Sequence, residues 1–294
     1  MRYKCIVSYD GTLFHGFQTQ DLSENENVIE NPRTVQEEIE KVLAIITKNK
    51  VNITYASRTD AKVHAIGQVF HFDTTLDIDP ESMKRAINSY LPSDIHVKSC
   101  EKVSDNFNAR TDVIKKEYHY YINLGEYNPI IRNYVFTPEK VNIKKFDLNL
   151  MKDASKVLIG KHDFRSFTKA HNLANYEREI YSINFEQKKD ILVIKFEGNG
   201  FLHNMVRILA AMLFECGLSN YSKKQLKMIL EQKNRQFAPK ILPSSGLYLF
   251  KVYYDDKKYS IRYPQEHPLS ITINSPLKKE NITIENTFVF EIGT

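Results

Sequence analysis

The sequence predicts an α+β fold, two ferredoxin-like (RRM-like) halves around a central antiparallel sheet. Three observations predict it. Short stretches alternate apolar and polar residues at the period of a strand, amphipathic stretches between them follow the helical period, and the order β, α, β, β, α, β occurs before residue 105 and returns in outline after it. The halves share element order but no sequence repeat.

In the first half, residues 3–8 read as a strand and Tyr9-Asp10-Gly11-Thr12 as a turn. A polar loop at 19–32 has no periodicity and is expected to be mobile. Thr34-Val35-Gln36-Glu37 matches a capping box, and Val35, Ile39, Val42, Leu43 and Ile46 then repeat at helical spacing to about Thr47. Strands follow at 51–55 and 68–72, a helix at 80–90 with proline first, and a strand at 95–103.

The second half opens near Phe107 with a strand at 116–122 and a helix at 146–159. Strands at 180–185 and 191–196 are joined by the polar turn Gln187-Lys188-Lys189-Asp190. A helix over 201–216 stops at Gly217, a shorter one covers 223–231, and 246–254 returns as a strand. The implied division is 1–105, 106–259 and an extension at 260–294, whose alternation, as in Ile282-Thr283-Ile284, suggests added strands.

With 42% hydrophobic and 26% charged residues over 294 positions, the chain is neither disordered nor membrane-spanning in composition. Its longest apolar stretch, 208–214, is too short for a bilayer, and the N-terminus moves into a strand without a signal sequence, so a cytoplasmic protein is expected. Cys5, Cys100 and Cys216 are far apart and odd in number, which suggests neither a disulfide framework nor a zinc site. A net charge of +5 permits a polyanionic partner, and 17 Tyr with 17 Phe offer stacking surfaces for bases.

The most informative segment is Ala56-Ser57-Arg58-Thr59-Asp60-Ala61-Lys62-Val63-His64-Ala65, a charged cluster between two strands. A strand end holds side chains rigidly while letting them face a cleft, which suits a reactive carboxylate at Asp60. The second clue is Arg207, a cation in the middle of an otherwise apolar helix. It needs a carboxylate from elsewhere, for which Asp60 is a candidate, or else it reaches solvent or caps a carbonyl. His64, His71 and Asp73 do not compose a metal site, because nothing fixes His64 beside the other two. Gly198-Asn199-Gly200 lacks the ending of a phosphate loop and reads as a tight turn.

Ordered motifs then accumulate along the chain. They are Tyr9-Asp10-Gly11-Thr12 with Phe14, Gly16, Gln18 and Gln20; Thr34-Val35-Gln36; Ser57-Arg58-Thr59-Asp60-Ala61 with Val63-His64-Ala65 and Gly67-Gln68-Val69; Phe107-Asn108-Ala109-Arg110 with Lys116 and Tyr118; the segment 160–167; Gly200-Phe201-Leu202 with Asn204-Met205-Val206-Arg207; and Ala238-Pro239 with Gly246-Leu247-Tyr248-Leu249. Together, from about residue 3 to 254, they resemble the TruA family of tRNA pseudouridine synthases. The resemblance implies the pseudouridine synthase fold, a homodimer, no cofactor and no metal, and isomerisation of uridine to pseudouridine at positions 38, 39 and 40 of the tRNA anticodon arm.

The resemblance also implies roles. Asp60 would be the catalytic carboxylate, Arg207 its partner, and Tyr118 a ring that stacks on the uracil with a hydroxyl able to help remove the C5 proton. Arg58 would act on the flipped nucleotide, and Lys62, Arg110, Lys116, Lys161 and Arg165 would contribute to an RNA-binding surface. Three positions depart from the family pattern, with Ser57 and Lys62 standing for glycines and Phe17 for a tryptophan. Lys62 in particular suits a paralogue acting on another RNA, ribosomal RNA or other tRNA positions. A non-catalytic RNA-binding factor is the remaining alternative, and it would need none of Asp60, Tyr118 and Arg207.

Overall fold

The computed structural model of the chain describes residues 1–19, 32–139 and 143–259. All of them fall within one compact unit, Met1–Ile261. The interior of the loop expected at 19–32, and the extension at 260–294, lie outside the described residues.

Strand β1 (Arg2–Tyr9) buries Tyr3, Cys5, Val7 and Tyr9 on one face, the alternation its sequence requires. Thr34 caps α1 (Val35–Thr47) by accepting from the Glu37 N–H, while the Glu37 carboxylate turns instead to Lys41 at 2.9 Å, giving half of the expected capping box. β2 is only Thr54–Tyr55, shorter than the expected 51–55. The reason is local: the Ile53 N–H donates to Glu40 Oε1 at 3.0 Å and so leaves the ladder, although Val51, Ile53 and Tyr55 stay buried. β3 (His64–Asp73), α2 (Pro80–Tyr90) and β4 (Ile95–Val103) complete the first half, with Asp79 capping α2 through the Ser82 N–H.

The second half contains β5 (Lys115–Asn123), α3 (Leu148–Ser155), β6 (Gly160–Asp163), β7 (Glu177–Lys188), β8 (Ile191–Gly198), α4 (Met205–Gly217), α5 (Lys223–Gln232), β9 (Leu247–Tyr253) and a final turn α6 (Asp256–Tyr259). The helix expected at 146–159 is shorter, because Asp147 caps it by accepting from the Asn149 N–H and its last turn tightens into a 3₁₀ turn, Lys156–Leu158. α4 begins at Met205 rather than 201, since Asn204 is in the left-handed region at φ 62°. Arg207 therefore lies in its first turn and not in mid-helix. Gly217 is the last helical residue, and its missing side chain makes room for the Phe146 ring.

Among the described residues, nine strands join one sheet in the order β4, β1, β3, β9, β5, β8, β7, β6, with β2 pairing to β3 off this path. The second half repeats the order of the first, since β9, β5, β8 and β7 occupy the places of β4, β1, β3 and β2. Every pairing is antiparallel except one, where β3 runs parallel to β9 through His64↔Tyr248 and Ala65↔Leu249. β1 covers one edge of β3, so β2 and β9 share the other edge, β2 at Phe70 and His71, β9 at His64 and Ala65. Helices pack in two groups, α1 on α2 and α2 on β4, and α3 on α4 and α5 with α4 against β5.

Cys5 and Cys100, distant in sequence, face each other across β1 and β4 with sulfurs 3.3 Å apart as free thiols, and burial raises the Cys5 thiol well above its usual range. No helix among the described residues is long and apolar enough to cross a membrane.

The seam between β3 and β9 requires Gly67, where an added Cβ would stand 2.5 Å from the Phe250 carbonyl oxygen. Gly67→Ala should cost about 1–3 kcal/mol in urea unfolding by forcing the two backbones apart. Gly200→Ala, whose Cβ would meet nothing nearer than the Arg178 side chain at 3.7 Å, should stay within about 0.5 kcal/mol of the parent in the same assay.

Candidate active site

The segment from Ala56 to Val63 leaves the shared edge of β3 just where β9 takes it over. Its start is fixed by Gln68, fully buried, whose amide nitrogen donates to the Ser57 carbonyl at 2.6 Å and whose oxygen accepts from the Ser57 N–H at 3.2 Å. A buried amide that satisfies both backbone groups of one residue leaves it little freedom. Downstream, Tyr9 and Thr59 share a hydrogen bond of 2.7 Å, the Phe17 N–H donates to the Thr59 carbonyl, and the Lys62 N–H donates to the Phe14 carbonyl.

The turn after β1 is glycine-rich because it lies against this loop. A Cβ on Gly16, which has φ +104°, would stand 2.8 Å from the Thr59 oxygen, and one on Gly11 would overlap the Val63 carbonyl. Lys62 itself has φ 63°, a left-handed conformation that costs a non-glycine residue about 1 kcal/mol. This is the physical reason a glycine is the easier residue there.

Asp60 projects from the loop toward the start of α4. Its Oδ2 accepts from Arg207 Nη1 at 3.3 Å, and His203 Nε2 lies 3.4 Å from its Oδ1. Arg207 also donates through Nε to the Leu242 carbonyl at 2.8 Å and through Nη1 to Asn204 Oδ1 at 3.1 Å. Arg207 thus contacts both the Asp60 carboxylate and a backbone carbonyl. The side chains of Arg207 and Asp60 are 14% and 27% exposed, so the pair is shielded without being sealed.

Tyr118 is carried by β5. It pairs with Leu249 on β9, which in turn pairs with Ala65 on β3, so the register brings it beside the loop. Its ring meets Phe201 edge-on at 5.3 Å, and its hydroxyl is 2.9 Å from Ser57 Oγ. Burial, aided by the charge of Asp60, pushes the phenol up to about 12. Two residues before it, Lys116 donates to the Ala56 carbonyl at 2.8 Å and lies 3.3 Å from Ser57 Oγ. Burial, with the nearby charges of Arg110 and Arg178, lowers this amine to about 8.

The structure thus unites Asp60, Arg207, Tyr118 and Lys116, with Arg110 alongside, its guanidinium 5.0 Å from the Tyr55 ring. Arg58 and Lys62 are exposed on the loop itself. Lys161 and Arg165 lie on and just after β6, at the far edge of the sheet, paired with Glu177 at 3.3 Å and Asp163 at 3.6 Å. His64 and His71 serve the backbone, their Nδ1 atoms accepting from the N–H groups of Gly11 and Ala109. Four contributors were not legible as such: Gln68, His203, Arg178 and the hydroxyl of Ser57. The only sequence signal for the last was its departure from a glycine.

The sequence pattern of a family described as tRNA pseudouridine synthase matches residues 5–112 and 154–255. Proteins named tRNA pseudouridine synthase A are similar over nearly their whole length. That of Anoxybacillus flavithermus is 43% identical over 258 residues, 87% of this chain and 99% of the relative. That of Bacillus subtilis is 41% identical over 261 residues, 87% and 100%, and that of Listeria monocytogenes 43% identical over 260 residues, 86% and 99%.

Arg207→Met should lower the unfolding free energy by about 1–3 kcal/mol, since it strands the Leu242 carbonyl and leaves Asp60 without its guanidinium. Combining it with Asp60→Asn should recover part of that loss. A double-mutant cycle by urea denaturation checks this, and strict additivity would deny the contact.

Proposed function

The chain belongs to the tRNA pseudouridine synthase family, and on that premise we propose that it isomerises uridine to pseudouridine in tRNA, at positions 38, 39 and 40 of the anticodon arm, with Asp60 as the reacting carboxylate. The observation that carries the reading is the Arg207 to Asp60 contact, which holds one partly exposed carboxylate of the first half against a guanidinium of the second.

The reaction breaks the bond from N1 to C1′, turns the freed uracil, and joins C5 to the same sugar carbon. No atoms are gained or lost, so the residues act by positioning and proton transfer, without a cofactor. Asp60 serves either by taking the 2′ proton, which gives a glycal, or by attacking C1′ as a nucleophile. A carboxylate held by Arg207 and exposed by about a quarter suits both. A uridine within a stem must first flip out. Arg58, exposed two residues before Asp60 and paired with no carboxylate among the described residues, fits the role of filling the vacated space or holding a phosphate. Tyr118 supplies an aromatic ring and a hydroxyl near Asp60.

Arg110 and Lys62 form the RNA-facing surface nearest the site with Lys116 buried behind them, and Lys161 and Arg165 extend it once their exposed, weak ion pairs exchange for phosphates. We further infer a homodimer acting in the cytoplasm. Lys62, left-handed and exposed two residues from Asp60, favours a second reading in which the target is another RNA, because a long cation there alters what approaches the carboxylate. Mapping pseudouridines in a strain lacking the gene separates the two by which RNA loses its signal.

Asp60→Asn should abolish pseudouridine formation on unmodified tRNA while leaving tRNA affinity within about threefold of the parent, since phosphate contacts dominate binding. Normal turnover by this variant would remove Asp60 from the chemistry.

A further inference from the structure

Three polar groups beside Asp60 form a continuous chain, from the Tyr118 hydroxyl to Ser57 Oγ at 2.9 Å and from Ser57 Oγ to Lys116 Nζ at 3.3 Å. We propose that this chain is a proton relay, in which Tyr118 takes the C5 proton released at the end of the isomerisation and Ser57 passes its own proton to Lys116 as the final acceptor. The inference rests on the functional reading above and adds to it a route for the proton.

The geometry accommodates a neutral amine. Lys116 donates to the Ala56 carbonyl at 2.8 Å and to Ser57 Oγ at 3.3 Å, and once the amine is neutral its lone pair can take over the second contact by accepting from the Ser57 hydroxyl. Among the described residues no carboxylate pairs with Lys116, although most lysines that leave water do so toward an acid. The charged groups facing it are the cations Arg110 and Arg178, and both oppose an ammonium. On the Tyr118 side the facing groups are Asp60 and Tyr9. Burial brings Lys116 down to about 8, so a useful fraction is neutral near pH 7.5, whereas Tyr118, pushed up to about 12, cannot act as a free phenolate. A relay resolves the difficulty, because the phenol need not lose its proton before it gains another.

The step balances. After C5 has bonded to C1′, the C5–H bond breaks, its electron pair restores the C5–C6 double bond of the uracil, and the proton goes to the Tyr118 oxygen. The Tyr118 proton moves to Ser57 Oγ, the Ser57 proton moves to Lys116, and the neutral amine becomes an ammonium. Ser57 is the link that this chain has and that a glycine at the same place would lack. Gln68, by fixing both backbone groups of Ser57, holds the hydroxyl between its two partners.

The sign of the pH dependence follows. The relay needs Lys116 neutral, so the deprotonation step rises with pH up to about 8 and levels above it. Lys116→Arg keeps the positive charge and the hydrogen-bond donors but cannot accept a proton. Ser57→Ala removes the link and leaves Lys116 in place.

The test uses single-turnover release of tritium from tRNA transcripts carrying 5-tritiated uridine, with 5-deuterated transcripts to report when C5 deprotonation limits the rate. Wild type should show the limb near pH 8. Lys116→Arg should slow release by about a hundredfold or more, lose that limb and gain a large isotope effect, and Ser57→Ala should change in the same direction. A Lys116→Arg or Ser57→Ala protein that releases label at the parental rate with the parental isotope effect would overturn the relay. A wild type that forms no pseudouridine would sink the functional reading instead. The state of Lys116 is readable without activity: its depressed folded pKa makes wild type gain stability over Lys116→Met as pH rises from about 8 to about 10.4, and a flat difference over that window also overturns the proposal.

Discussion

Everything at the candidate site depends on the one place where the sheet runs parallel. β3 and β9 meet over just two residue pairs, and that short seam joins a first half ordered β4, β1, β3 to a second half ordered β9, β5, β8, β7, β6. Parallel neighbours need crossover connections, and here the crossover runs from α2 and β4 through β5 to α5, nearly everything that follows β3. The seam is short because β2 already occupies the other end of the same edge. The loop carrying Asp60 fills the gap between β2 and β9, so this segment is the chain's way of leaving one edge partner and admitting another. Gly67, Gln68 and Gly16 are all consequences, each removing bulk or supplying hydrogen bonds where three backbones converge.

Local elements were legible wherever one face is apolar and one polar. α2 and β4 match their sequence-derived bounds, and the other elements are right in kind. Errors came where a side chain intervened in the backbone pattern. Glu40 takes the Ile53 N–H and shortens β2, and Asn204, left-handed, delays α4 by four residues. That delay matters, because it moves Arg207 from mid-helix into the first turn, where a guanidinium can reach both Leu242 and the loop. β6 was not anticipated at all: four residues with little burial carry no period to detect.

The site was legible in the residues whose type is expensive in its surroundings and illegible in those whose type is ordinary. A charged residue in an apolar helix asks for a partner, and Asp60 answered to it across the length of the fold. Ser57, Gln68 and His203 give no such signal, since a serine, a glutamine and a histidine in loops and strand ends have many unremarkable uses. Cys5 and Cys100 are free thiols, in keeping with their number and spacing, but an antiparallel register makes them direct neighbours, and only the pairing of β1 with β4 reveals that.

Charge distribution decides what the +5 total means. Arg110 and Arg178 act on Lys116, Lys116 contacts the residue next to Arg58, and Arg207 pairs with Asp60. These cations converge on the loop that carries Asp60, while Lys161 and Arg165 at the sheet edge are already paired with acids. A modest overall excess is therefore concentrated locally, the kind of field that favours a polyanionic partner. The same crowding, added to burial, disfavours a further positive charge at Lys116, so the field that would attract a polyanion is also the one that lowers the basicity of this amine.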